Sequence, residues 1–95
     1  MQLNNEQNTI SIKGNISTVS EFDDIKQNLE LMRTQHKNIV LKIYDSLVIN
    51  SSLIGYLVKV VNQDGVNIHL HAGNEILYEL LDDLGLSKTL NLQKI

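Results

Sequence analysis

The chain of 95 residues is long enough for one small domain, and it contains no cysteine, which excludes disulfides, thiolate zinc sites and cysteine nucleophiles. Its net charge of −3, with dispersed lysines and arginines, provides no basic patch for a nucleic-acid backbone. We therefore expect a single domain over residues 1–95 that has no nucleic-acid partner.

The first two predicted elements are a strand and a capped helix. Polar and apolar residues alternate over residues 8–16, which predicts a strand. Thr18 and Glu21 then form a Thr-x-x-Glu capping box, and apolar residues follow from Phe22 at steps of three and four. This pattern predicts an amphipathic helix. Residues 1–7 form either a weak edge strand or a frayed tail, and both alternatives stay open.

The rest of the chain continues to alternate between strand and helix. Two further alternating strands are predicted over residues 38–45 and 66–72. Between them, residues 51–64 carry a broad apolar face and precede Gly65, a residue typical of helix ends. A third helix is predicted to begin after Asn74, which is a favourable N-cap residue.

The third helix is predicted to end at Gly85, with Leu86 placed for a closing apolar contact, and residues 91–95 can form a short last strand. Because the predicted strands are apolar on one side only, successive right-handed crossovers would place the helices on the same face. We therefore predict a small two-layer α/β domain, with a mainly parallel sheet of four or five strands and helices predominantly on one face. Its predicted core consists of Ile10, Ile12, Phe22, Ile25, Leu29, Ile39, Leu41, Ile43, Leu53, Leu57, Val61, Ile68, Leu70, Leu77, Leu80, Leu81 and Leu84.

The most informative segment runs from Leu47 to Tyr56, where an apolar strand leads through Asn50, Ser51 and Ser52 into a helix. Backbone N–H groups at the start of a helix lack intrahelical partners, and the helix dipole is positive there, so this position favours an added phosphate. Two interpretations are open. The segment is a phosphorylation switch, or Asn50 or Ser51 simply caps the helix.

The order of these elements, together with Asn-Ser-Ser, resembles the STAS domain of bacterial anti-sigma-factor antagonists over nearly the whole chain. In that family the corresponding sequence is Asp-Ser-Ser-Gly-Leu-Gly, and its first serine is phosphorylated by a partner kinase that is also an anti-sigma factor. Here the first serine is Ser51, the second is Ser52 and the final glycine is Gly55. Residues 65–70 and 74–86 resemble the family's last strand and its helix ending in Gly-Leu.

Three residues depart from the pattern of the family. Asn50 stands where the family has Asp, Leu53 where it has the first Gly, and Lys42 where an Asp commonly lies on the preceding strand. The amide of Asn50 keeps the hydrogen bonding of a carboxylate and lacks its charge.

The resemblance implies a cytoplasmic, non-enzymatic regulator that is switched by phosphorylation of Ser51, binds a serine kinase that is also an anti-sigma factor, and is restored by a serine phosphatase. It implies no cofactor, and the oligomeric state stays open. The alternative is a constitutive STAS adaptor that docks on the ATPase of a transporter or on another partner, without phosphorylation. The residues implied for partner binding are Ser17, Thr18, Asn50, Ser51, Ser52, Leu53, Gly55 and Tyr56.

Catalytic and metal sites have weaker support in the sequence. His69 and His71 share one strand face at a spacing that can bind metal, but no third ligand with suitable spacing is evident. Ser51, a histidine and Asp45 do not form a triad, because the histidines belong to the polar strand face. We therefore expect no catalytic residue and no metal, and keep a histidine-bound metal enzyme as a third hypothesis. The start of the chain lacks the pattern of a signal peptide, and Lys59 interrupts the longest apolar stretch, so we expect no membrane insertion.

Overall fold

A computed structural model describes residues 1–95 and consists of a five-stranded sheet and three helices. The strands lie in the order β1-β2-β3-β4-β5; β1 is antiparallel to β2, and every other neighbouring pair is parallel. The predicted α/β fold class is confirmed. The elements are β1 (Gln2–Glu6), β2 (Thr9–Lys13), α1 (Val19–Met32), β3 (Asn38–Ile43), α2 (Ser51–Asn62), β4 (Asn67–Ala72), α3 (Glu75–Asp83) and β5 (Gln93–Lys94).

All three helices cover the same face of the sheet. Each of the crossovers from β2 to β5 moves the chain by one strand in the same direction, and right-handed crossovers of this kind return to one face. Alternate strand residues show the result: Leu41 is fully buried under the helices, whereas its neighbours Val40 and Lys42 are only half-buried on the other face. We call that other face the open face of the sheet.

The edge-strand alternative for the first residues is confirmed. β1 pairs with β2 so that Leu3 lies opposite Ile12, and Gln7 makes the turn between the strands with φ of 54°. The strand predicted over residues 8–16 is shorter than expected, because Gly14 ends it in a left-handed conformation, with φ of 94°.

The core between sheet and helices contains most of the predicted apolar residues, with two errors. Leu80 and Leu84 are 37% and 53% exposed, because α3 buries the stripe formed by Leu77 and Leu81 and turns the neighbouring stripe to solvent. Two further predicted core residues, Phe22 and Val61, are half-buried at the edge of the core. The buried residues that were not predicted are Ile16, Met32, Ile49, Val60, Val66, Ala72 and Leu90.

The predicted ends of α3 are present, whereas α2 ends at Asn62, before the predicted limit of residue 64. Asn74 caps α3, and its Oδ1 accepts a hydrogen bond from the Leu77 N–H at 2.8 Å. At the other end, Gly85 has a φ of 75°, and the Leu86 N–H donates to the Leu81 carbonyl at 3.1 Å, which closes the helix in a Schellman motif. None of the three helices has the length and apolar character needed to cross a membrane.

Replacement of Gly73 by alanine is expected to destabilise the domain. A Cβ at this position would lie 2.6 Å from the Tyr44 carbonyl oxygen and 2.7 Å from the Tyr44 Cα, so Gly73→Ala forces β3 and the turn after β4 apart. Overpacking of this kind costs about 1–3 kcal/mol of unfolding free energy. Urea unfolding of the variant and the parent chain measures this difference.

Gly55→Ala is the matched control. Gly55 lies inside α2 and is exposed, and a Cβ added there would have no atom within 4 Å. Alanine is favoured over glycine in a helix interior, so this variant should be more stable than the parent by up to about 1 kcal/mol. If both alanine variants had the stability of the parent, the close approach at Gly73 would be refuted.

Candidate functional site

The predicted partner-binding residues of two separate segments lie at one end of the sheet. β2 and β3 are parallel, so their carboxyl ends share an edge, and the connections that leave them lead into the N-termini of α1 and α2. The same holds for β4 and α3. We call this edge the serine end, defined by the exposed or half-buried residues Ser17, Thr18, Asn50, Ser51 and Ser52.

Asn50 is the residue that caps α2. Its Oδ1 accepts a hydrogen bond from the Leu53 N–H at 2.8 Å, and its carbonyl oxygen accepts one from the Ile54 N–H at 3.2 Å. Ser51 and Ser52 are therefore the first two helical residues, and both are exposed. Because the amide of Asn50 provides the cap, the Ser51 hydroxyl is not needed for that role and faces solvent at a helix N-terminus.

The neighbouring connection is held by the predicted capping box of α1. The Ser17 and Thr18 N–H groups donate to Oε1 of Glu21 at 2.9 and 3.0 Å, and the Glu21 N–H donates to Oγ1 of Thr18 at 3.1 Å. The backbone donors of Ser17 and Thr18 hold the pKa of the Glu21 carboxyl below its usual value. Glu21 is therefore ionised at neutral pH and accepts hydrogen bonds from two backbone donors of this connection.

The other predicted contact residues occupy three different environments. Gly55 is exposed, whereas Leu53 is fully buried and has no exposed side chain to offer to a partner. Tyr56 is half-buried on the side of α1, where its ring packs edge-on against Phe22 with 6.2 Å between the ring centroids. Its hydroxyl donates to the carboxylate of Glu30, and burial, followed by this hydrogen bond, raises the pKa of Tyr56. Tyr56 thus joins α2 to α1.

Ser46 organises the serine end, although its place in the sequence gives no signal of this role. Its side chain is fully buried, and its hydroxyl oxygen accepts a hydrogen bond from the Ile16 N–H at 3.0 Å and donates to the Val48 carbonyl at 2.5 Å. The Asn74 side-chain amide donates to the Ser46 carbonyl at 3.0 Å. One serine therefore connects the segments before α1, α2 and α3.

Exposed apolar side chains accompany the polar residues at this end. Leu47 and Val48 are 47% and 49% exposed just before α2, and Val19 and Ile76 are 75% and 58% exposed in the first turns of α1 and α3. Exposed apolar residues that cluster beside polar ones are typical of protein interfaces. The serine end therefore exposes both polar and apolar side chains.

The two histidines discussed above lie on the open face, on the opposite side of the sheet from the helices. His69 and His71 are both half-buried, and no group of three or more histidine, aspartate or glutamate side chains in the chain is arranged to hold a metal ion. Burial is the largest cause that lowers the pKa of His71, and its neighbours Lys42 and His69 add to it. His71 is therefore neutral at pH 7.

Comparisons with known proteins identify no relative: no protein-family model, curated protein or solved structure matches the chain. The geometry of the serine end, with the resemblance of its sequence, is therefore the basis for a functional proposal.

Ser46→Ala is expected to destabilise the domain. The change removes the acceptor of the buried Ile16 N–H, and an unpaired buried donor costs about 1–3 kcal/mol. The control is Ser52→Ala, which changes an exposed residue in the first turn of α2 and should alter stability by no more than about 0.5 kcal/mol. Urea unfolding measures both, and equal stability of the two variants would show that the Ser46 hydroxyl does not hold the loops.

The pH dependence of His71 provides a second prediction. The pKa of His71 is lower in the folded than in the unfolded chain, so protonation of His71 favours unfolding. Neutral His71 therefore contributes to stability above the ordinary pKa of 6.5, and this contribution is lost as the pH falls through the native pKa. Lys42→Gln removes one positive neighbour and should raise the pKa of His71. The control is Lys88→Gln, which changes an exposed lysine and should leave the pKa of His71 unchanged.

Imidazole resonances followed by NMR against pH measure this value directly. A His71 resonance that titrates at or above pH 6.5 in the folded parent chain would contradict the described packing of the open face.

Proposed function

We propose that the chain is a STAS-type protein-interaction module of the anti-sigma-factor antagonist class, phosphorylated on Ser51 by a serine kinase to which it binds. A serine phosphatase would reverse the switch, and both reactions would take place in the cytoplasm of a bacterium. The sequence resemblance supports this proposal, and the observation that carries it is the exposed Ser51 at the first position of α2.

The position of Ser51 favours a phosphate on electrostatic grounds. In α2 the Leu53 N–H is taken by the Asn50 side chain, while the N–H groups of Ser51 and Ser52 precede the first intrahelical bond. A phosphate there would bring a charge of about −1.5 to −2 to the positive end of the helix dipole. The modified serine is therefore stabilised within the domain without rearrangement of its core.

The surroundings of Ser51 explain how a phosphate would change binding. Leu47 and Val48 expose apolar surface in the connection that leads to Ser51, and a partner that covers them must also approach the serine hydroxyl. A neutral hydroxyl is desolvated at small cost, whereas a buried phosphate without a cationic partner is costly. Phosphorylation is therefore expected to release a partner bound at the serine end.

A constitutive adaptor is the second candidate, and Asn50 is the observation that favours it. The residue next to the acceptor is a neutral amide whose oxygen accepts the hydrogen bond that caps the helix. No carboxylate therefore stands at that position to orient the Ser51 hydroxyl for phosphotransfer. In this version the same exposed surface docks on a transporter ATPase or another partner, and Ser51 is a contact residue only.

The state of Ser51 in the native cell tests the proposal. Chain purified from its native cell, or incubated with the kinase that co-purifies with it, should gain one phosphate, located on Ser51 by peptide mass spectrometry. Ser51→Ala should abolish the modification. Ser52→Ala, one residue further along α2, should retain it. Absence of any phosphate in the presence of the bound kinase would refute the switch and favour the adaptor.

Binding to the co-purified kinase, measured by calorimetry, supplies the second readout. Ser51→Asp and Val48→Glu should each weaken binding by about tenfold or more, equivalent to about 1.4 kcal/mol. Leu31→Glu is the control, because Leu31 is 73% exposed near the opposite end of α1. If Leu31→Glu weakened binding as much as Val48→Glu, the docking surface would not be the serine end.

A further inference from the structure

The open face of the sheet differs in charge from the rest of the molecule. The chain carries eleven acidic residues and a net charge of −3, and only Glu6 of these lies on a strand, on the open face opposite Thr9. Lys13 and Lys42 extend from the open face, since they alternate with buried residues of β2 and β3. The two lysines outnumber the single carboxylate of Glu6, so the open face carries a net positive charge, while the layer of helices and loops is acidic.

Neither lysine forms an ion pair within the chain, although the Glu6 carboxylate lines the same depression. The four ion pairs of the structure involve other residues. Lys42 lies in register between Ser11 and His71, and the Lys13 ammonium lies 5.9 Å from the centroid of the Tyr44 ring. An arrangement of positive groups on one face, with hydroxyl and aromatic neighbours, repels other cations and favours an anion.

A depression of about 850 Å³ lies over β1, β2 and β3, and both lysines line it. Only two of its ten lining residues are hydrophobic, and the others carry amide, hydroxyl or charged groups, among them Asn4 and Ser11. Its volume lies within the range of small-molecule sites, about 300–1,000 Å³, but its polar lining differs from the apolar lining that such sites usually have. A charged ligand rich in hydroxyl groups suits this chemistry.

We propose that this depression binds a soluble phosphate ester of a hydroxyl-rich molecule, of the sugar phosphate class. Lys13 and Lys42 would hold the phosphate, because two compact ammonium groups match its two negative charges. Asn4 and Ser11 would bind the sugar hydroxyls, and the ring of Tyr44 supplies a flat surface against the sugar. The site lies on the opposite side of the sheet from the helices, so it does not depend on the function proposed for Ser51.

A titration followed by amide NMR tests this site, with glucose 6-phosphate as the probe and glucose and inorganic phosphate as separate controls. Glucose 6-phosphate should produce saturable shifts at the amides of Ser11 and Lys42, and each control should bind at least tenfold more weakly. Lys42→Gln and Lys13→Gln should each reduce the affinity at least tenfold. Lys88→Gln, which removes an exposed lysine outside the open face, should leave it unchanged.

Three results would overturn the proposal. Absence of saturable shifts with glucose 6-phosphate is the first. The second is equal affinity in the parent, Lys42→Gln and Lys13→Gln chains, each shown to be folded by its dispersed amide spectrum. The third is binding to phosphatidylglycerol vesicles without binding to the soluble ester, which would identify a lipid surface instead. Ser51→Ala should bind the ester as the parent does, so failure here and failure of the Ser51 switch are distinguishable.

Discussion

Progression of the parallel strands in a single direction is the constraint on which the other features depend. Because every crossover from β2 to β5 moves one strand further and has the same hand, the helices are confined to one face of the sheet. This arrangement places the N-termini of all three helices at one edge and leaves the other face uncovered. The serine end and the open face are thus two consequences of one topology, and neither requires a special local structure.

The positions of the loops at the serine end depend on buried hydrogen bonds as well as on apolar packing. Loops that follow parallel strands carry backbone donors and acceptors that must be paired once they leave the sheet. The Ser46 hydroxyl pairs with the backbone of two connections, and the Asn74 amide adds the third. No buried side-chain polar atom of the structure lacks a hydrogen-bond partner. The three helix starts are therefore held relative to one another, and the exposed residues around Ser51 form one surface.

Most of the fold could be predicted from the sequence because its signals are local. Alternation identified β2, β3 and β4, while β1 was one of two open alternatives; the Thr18 capping box, Asn74 and Gly85 marked helix ends that the structure confirms. The number of apolar residues that α3 buries could not be predicted from the local pattern. Leu80 and Leu84 continue the apolar pattern of α3, but the short helix presents only one stripe to the sheet. The roles of Ser46 and Gly73 depend on approaches between distant segments, so neighbouring residues gave no indication of them. In the site, the cap, the exposed serines and the burial of Leu53 were predictable from the pattern of α2, whereas the partner-contact role that the resemblance implied for Leu53 is wrong because that side chain is fully buried.

The proposed switch requires a change of surface charge and no change of fold. α2 is fixed before any modification, because Asn50 caps it, Leu53 and Leu57 are fully buried, and Tyr56 joins it to α1. A phosphate on Ser51 would therefore lie at a preformed helix N-terminus, and the chain would lose little conformational entropy on modification. The phosphate would instead weaken binding of the partner, because the surface that the partner covers would no longer be neutral. A small domain with a filled core has few alternative packings to shift between, so the proposed switch would act through charge at an exposed residue and not through repacking of the core.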